Sequence, residues 1–83
     1  MNNNKSNNST TLNSINLGTS CKVKTINAEG SIQRRFLDLG LINGTNILPL
    51  SQSPSGDPIA YLIRGTVIAI RSEDASKIVV EAM

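Results

Sequence analysis

The apolar positions of this chain fall into short blocks separated by turn-forming residues, and the spacing inside each block predicts its element. Leu12, Ile15 and Leu17 precede Gly18, and the i, i+3 spacing of the first two predicts a helical turn or an extended entry that plugs one end of a core. From Ser20 to Ile26, Cys21 and Val23 alternate with Lys22 and Lys24, the pattern of a half-buried strand. Ile26 breaks the alternation, the sign of a bulge or of the strand's end. From Ser31 to Leu39 the period changes. Ile32, Phe36 and Leu39 lie at i, i+4 and i+7 and form one helical stripe, with Arg34, Arg35 and Asp38 off it. Gly40 then supplies a left-handed cap, and Leu41 beyond it folds back on Phe36.

Asn43-Gly44 predicts a turn, followed by a strand over Thr45 to Ser51 that Pro49 marks as edge or bulged. Ser53 to Pro58 reads as a turn. Ile59 to Arg64 and Thr66 to Arg71 read as two strands joined at Gly65, apolar on both faces like central strands of a small closed sheet. Ser72 is placed to cap a single helical turn, with Glu73 and Asp74 at its positive end and Lys77 at its negative end. Ile78 to Ala82 closes the series as a last strand. The sum is mainly β: a small barrel of about five strands, one α-helix after the first strand and a helical turn before the last.

Composition changes this picture only at the N-terminus. Met1 to Asn16 holds seven asparagines, and Met1 to Thr11 has too little apolar surface to offset the entropy of ordering it, which predicts a disordered tail over 1–11 and one domain over 12–83. A chain of 83 residues buries only ~60–65% of its unfolded surface, so the core is thin.

The chemistry is sparse. There is no histidine, and Cys21 is the one cysteine, so neither a zinc site nor a disulfide framework is expected. The six carboxylates lack the spacing of a calcium loop, and no Gly-x-x-x-x-Gly-Lys run exists to cradle phosphate. Cys21 reads as a buried thiol, not a nucleophile. No acid–base pair stands out, so no enzyme activity and no cofactor is expected. The charge of +2 comes from scattered basic residues, and Phe36 and Tyr61 are the only aromatics, which argues against a nucleic-acid partner. No apolar run approaches the ~18 residues of a membrane span. Nothing resembles a secretory signal, and the cytoplasm is the expected location.

In order and spacing, these pieces resemble the ferrous iron transport protein A family, FeoA, from Leu12 to Glu81. The resemblance rests on the entry ending at Gly18, on the run Arg34-Arg35-Phe36-Leu37-Asp38-Leu39-Gly40-Leu41, on Gly44-Thr45, on Gly56-Asp57-Pro58, on Arg64-Gly65, and on Ile68 to Arg71 with the C-terminal strand. Asn43 stands where the family has proline, and Pro49 interrupts the second strand. The resemblance implies an SH3-like barrel. It implies an accessory that docks on the GTP-binding transporter FeoB, at the cytoplasmic face of the membrane, and regulates iron uptake. The residues expected to meet that partner are Arg34, Arg35 and Asp38 on the helix and Ser55, Gly56 and Asp57 on the turn. Gly18, Leu37, Leu39, Gly40, Leu41, Gly44, Pro58, Gly65 and Arg71 are expected to carry the fold. Two alternatives stand beside this reading: a module partnering a metal-dependent transcriptional repressor, and a weak homo-oligomer that pairs its edge strands.

Overall fold

The computed structural model describes residues 9–83. Six strands form one antiparallel sheet: β1 (Ser9–Thr11), β2 (Cys21–Ile26), β3 (Asn46–Gln52), β4 (Ile59–Ile63), β5 (Thr66–Ile70) and β6 (Ile78–Ala82). Their order is β1-β6-β2-β3-β4-β5. A 3-10 turn covers Leu12–Ser14, helix α1 spans Gly30–Asp38, and helix α2 is the single turn Ser72–Ala75.

The core follows from the strand pleat. Ile59, Tyr61 and Ile63 of β4 point inward and are buried, while Ala60 and Leu62 between them are half-exposed. Each strand from β2 to β6 adds at least one buried side chain, and Leu12, Phe36, Leu41 and Ala75 fill in from the helical and loop segments. Leu12 plugs the core as its spacing predicts, but Leu17 is 46% exposed and does not.

Two bulges bend the sheet. The β2–β6 register shifts between Val23 and Thr25, and the β3–β4 register shifts between Pro49 and Ser51. Pro49 is therefore bulged, though β3 lies inside the sheet. The strand tolerates it because β3 pairs with β2 only at Cys21↔Ile47 and Lys22↔Asn46. Beyond that point, Gly18 N–H donates to the Pro49 carbonyl at 2.8 Å in place of a strand.

Helix α1 starts one residue before the pattern predicts. Phe36 is buried, and Ile32 and Leu39 pack against the core, so the stripe is as read. The helix ends in a Schellman motif: Leu41 N–H donates to the Phe36 carbonyl at 3.0 Å and Gly40 N–H to the Leu37 carbonyl at 2.9 Å. Gly40 has φ +86°, and a Cβ there would also run into the Arg64 side chain. The chain after the helix is held by Thr45. Its Oγ1 donates to the Gly40 carbonyl at 2.9 Å and accepts from Ile42 N–H at 3.1 Å. The backbone of the same corner then joins β2: Gly44 N–H to the Val23 carbonyl, and Val23 N–H to the Thr45 carbonyl, both 2.8 Å.

The structure corrects four expectations. First, Ser9–Thr11 is not a tail. It pairs with β6 through Ser9↔Glu81, Thr10↔Val80 and Thr11↔Val79. The rest of the expected disordered segment, residues 1–8, lies outside the described residues. Composition alone misses the strand because edge pairing uses backbone groups, which a polar segment supplies as well as an apolar one. Second, β5 pairs only with β4, so among the described residues the sheet is curled but not closed. Val67 is 60% exposed, as an edge strand allows. Third, Ser72 does not cap α2. Arg71 is the N-cap residue, and the Asp57 carboxylate accepts from Ser72 N–H at 2.8 Å. Fourth, Glu73 and Asp74 do sit in the first turn of α2, but Lys77 lies beyond its last turn.

The pairing of β1 has a measurable consequence. A chain starting at Leu12 exposes the backbone edge of β6 that β1 covers. At a net ~1 kcal/mol per lost hydrogen bond, its thermal midpoint is expected to fall on the order of 5 °C or more below that of a chain starting at Ser9. Equal midpoints in calorimetry would show that β1 adds nothing to stability.

Candidate protein-docking surface

Among the described residues, two titratable side chains are buried, Cys21 and Tyr61. Cys21 is fully buried and its Sγ donates to the Ile47 carbonyl at 3.6 Å. Burial pushes its thiol up to about 11, away from the thiolate that a nucleophile or metal ligand requires. Tyr61 is also fully buried, and its hydroxyl has no hydrogen-bond partner among the described residues. Burial, followed by charge repulsion from Cys21 and Asp57, raises it to about 12. Among the described residues no group of three or more His, Cys, Asp or Glu side chains could hold a metal ion.

What the fold presents is surface. On the outer side of α1, Gly30, Ser31, Gln33, Arg34, Leu37 and Asp38 line a shallow groove. Arg34 and Asp38 have the i, i+4 spacing of an ion pair but do not form one. The only ion pair among the described residues is Lys24–Glu81, 4.0 Å apart and exposed, worth little. Arg34, Arg35 and Asp38 therefore stand in solvent without a charged partner among the described residues. Between and beyond them lie Leu37 and Ile42, each 53% exposed. Leu37, expected to serve the fold, turns its side chain to water instead. The signal is present in the spacing: one position past Phe36 is about 100° around the helix, off the buried stripe.

The second set of expected contact residues sits elsewhere. The β3–β4 loop is knit internally: the Ser53 and Ser55 hydroxyls both donate to the Asp57 carbonyl at 3.0 Å, and Gln52 Nε2 donates to the Gly56 carbonyl at 2.9 Å. The Asp57 carboxylate is committed to α2, so its first role is structural. The Asp57-Pro58 peptide is cis, and the Pro58 carbonyl accepts from Ser53 N–H. The loop and the exit of α1 lie at opposite ends of the seven-residue β3, about 20 Å apart. The structure thus gives two separate surfaces, not one site. Sequence reading does not find Ile42, because an aliphatic residue after a helix cap reads as core.

The other expected fold residues hold backbone positions. Leu41 is fully buried and Leu39 half-buried. Gly18, Gly44 and Gly65 have φ of +85°, +94° and +82°. Arg64-Gly65 is the two-residue link from β4 to β5, closed by Ile63↔Thr66, and its paired positive φ values, +52° and +82°, are those of a type I′ turn. The Arg71 carbonyl accepts from Asp74 and Ala75 N–H and starts α2.

An antiparallel sheet bent by two bulges, with one helix inserted after β2, defines a small, mainly β domain. The FeoA domain model matches residues 10–82, and the chain belongs to the FeoA family. Its fold is shared with a FeoA-like protein from Clostridium acetobutylicum, 33% identical, covering 92% of this chain and 88% of that one at a TM-score of 0.84. FeoA of Stenotrophomonas maltophilia, described in complex with zinc as a procaryotic SH3 domain protein, is 29% identical, covering 86% of this chain and 88% of that one at a TM-score of 0.77. The SH3-like fold is thereby shown. In sequence, the chain is 30% identical over 70 residues to an Fe(2+) transport protein A/Fe(2+) transporter FeoB fusion protein of Porphyromonas gingivalis. That match takes in 84% of this chain and only 8% of the fusion protein. Among the described residues, no helix is long and apolar enough to cross a membrane.

The buried acids set a pH dependence. Both Cys21 and Tyr61 hold their protons more tightly when folded, whereas the unfolded chain releases them near the ordinary 9.0 and 10.0. The contribution of these two groups to stability is fully present below about pH 9. It falls as pH rises through 9–11 for the thiol and 10–12 for the phenol, with a slope of up to ~1.4 kcal/mol per pH unit for each group. Denaturant midpoints at about pH 8 and pH 10.5, on either side of the thiol's onset, check this. Cys21→Ala is expected to flatten the decline between pH 9 and pH 11, and an unchanged slope would remove the thiol from the account.

Proposed function

We propose that this chain is a non-catalytic accessory of ferrous iron uptake that docks on the cytoplasmic region of a FeoB-type transporter. The observation that carries this reading is the Porphyromonas gingivalis relative, in which a segment similar to this chain and a FeoB transporter share one polypeptide. Parts that evolution has joined covalently in one lineage are candidates for non-covalent contact in another, because a linker only raises the effective concentration of an existing interaction. The interior supports a binding role in place of catalysis, since its two titratable groups are both buried in protonated form.

The outer face of α1 is the docking surface on this reading. Exposed Leu37 and Ile42 supply apolar area, and Arg34 and Arg35 supply guanidinium groups free to bind carboxylates bidentately. The loop at Ser55, Gly56 and Asp57 is the second candidate. It is weaker because its polar groups are already engaged with one another and with α2.

The test is the double variant Arg34→Glu, Arg35→Glu. Both side chains are exposed, so circular dichroism and thermal midpoint are expected to match the parent. Reversing two interface charges is expected to weaken co-purification with the transporter by roughly tenfold or more and to slow ferrous iron uptake in cells. A folded double variant that co-purifies and supports uptake at parental levels moves the interface off this face. A parent chain that does not co-purify at all removes the docking itself.

A further inference from the structure

The edge of β5 has the chemistry of an unfinished sheet. In a two-residue hairpin the closing pair exchanges backbone hydrogen bonds, and such pairs then recur at every second position. Ile63↔Thr66 closes this hairpin, so Tyr61↔Ile68 and Ile59↔Ile70 are the bonded pairs. Val67 and Ala69 therefore aim their N–H and C=O groups away from β4, and among the described residues nothing bonds to them. Within β5, Thr-Val-Ile-Ala-Ile carries no charge, proline or bulge of the kind that blunts an open edge. Beside it, the outer face of the sheet is apolar. The register sets Leu48, Leu62 and Val67 in one row across β3, β4 and β5.

We infer that two copies of this chain pair antiparallel through β5, about a two-fold axis at Ile68. That register sets Val67 of one copy opposite Ala69 of the other, and the outward groups of the two edges match. The ends of the strand decide for a second copy as occupant. One end carries Arg64, balanced by Asp38 of α1, which lines the same pocket. The other carries Arg71 with Glu73, Asp74 and Asp57, three carboxylates against one guanidinium. Antiparallel pairing brings the Arg64 guanidinium of each copy to the carboxylate-rich end of its mate, twice. Arg71 then falls opposite Gly65, which has no side chain to obstruct it. This inference does not depend on the docking proposed above, since it uses the backbone edge of β5 and not the outer face of α1.

Sedimentation of the full chain from low micromolar to near-millimolar concentration tests it. The mass is expected to rise from 8.9 kDa towards twice that value. Val67→Lys and Ala69→Pro, which leave the β4 ladder intact, are expected to remain monomeric with parental circular dichroism. Arg64→Glu is expected to weaken association by roughly tenfold or more at low salt. Amide exchange on the parent gives an answer even if a variant misfolds: the Val67 and Ala69 amides gain protection with concentration, while Ile68 does not change. A chain that stays at 8.9 kDa throughout overturns the inference. So does association that survives in folded Val67→Lys and Ala69→Pro, or association in which the Val67 and Ala69 amides still exchange freely; either result would leave the edge to a strand from another protein.

Discussion

The corner from Gly40 to Thr45 is the constraint on which the rest of the fold depends. A nine-residue helix cannot hold itself in water and is stable only while its apolar stripe stays packed. That stripe offers one fully buried residue, Phe36. Its packing depends on where the chain goes next. The Schellman cap turns the chain, Leu41 drops into the core, and Thr45 Oγ1 bridges Gly40 and Ile42. Two backbone bonds to Val23 then fix this corner to β2 and set the start of β3. One hydroxyl thus ties the helix exit to the strand that follows. Thr45 is buried and its hydroxyl both donates and accepts, unlike the buried Tyr61 hydroxyl, which has no partner among the described residues.

From that corner the sheet curls by local means. The bulges at Lys24 and Leu50 push one residue out of register on β2 and on β3, and both extra side chains are exposed. The type I′ turn at Arg64-Gly65 returns the chain with the twist the strands need. The far end of the β3–β4 hairpin is latched to α2 through Asp57. The result is a bent sheet against which α1 packs through Phe36 and Ile32, so that the polar side of the helix and its stray aliphatic residues become surface.

Much of this is legible in the sequence, and the reasons are local. The helix and the strands from β2 to β6 follow from periodicity, and Gly40, Gly44 and Gly65 mark positions that only a left-handed backbone fits. What is not legible depends on partners distant in sequence. β1 is polar and identifiable only by the edge of β6 beside it. The capping of α2 falls to Asp57, fifteen residues away, although adjacent Ser72 has the right chemistry for it. Closure of the sheet depends on whether β5 meets β1, and no spacing reports that. On the surface, Arg34 and Arg35 are readable as off-stripe charges, whereas the exposure of Ile42 depends on the direction in which the capped chain leaves the helix.

The role of the corner is tested most directly by removing only the Thr45 hydroxyl. Thr45→Val keeps the shape and β-branching but leaves the Gly40 carbonyl and the Ile42 N–H without their side-chain partner. Denaturant unfolding is expected to show a loss of about 1–3 kcal/mol, against a change within roughly 0.5 kcal/mol for Thr66→Val at an exposed strand position. Equal midpoints for Thr45→Val and Thr66→Val would mean that the helix is held by its apolar stripe alone, and that the corner follows from the fold without supporting it.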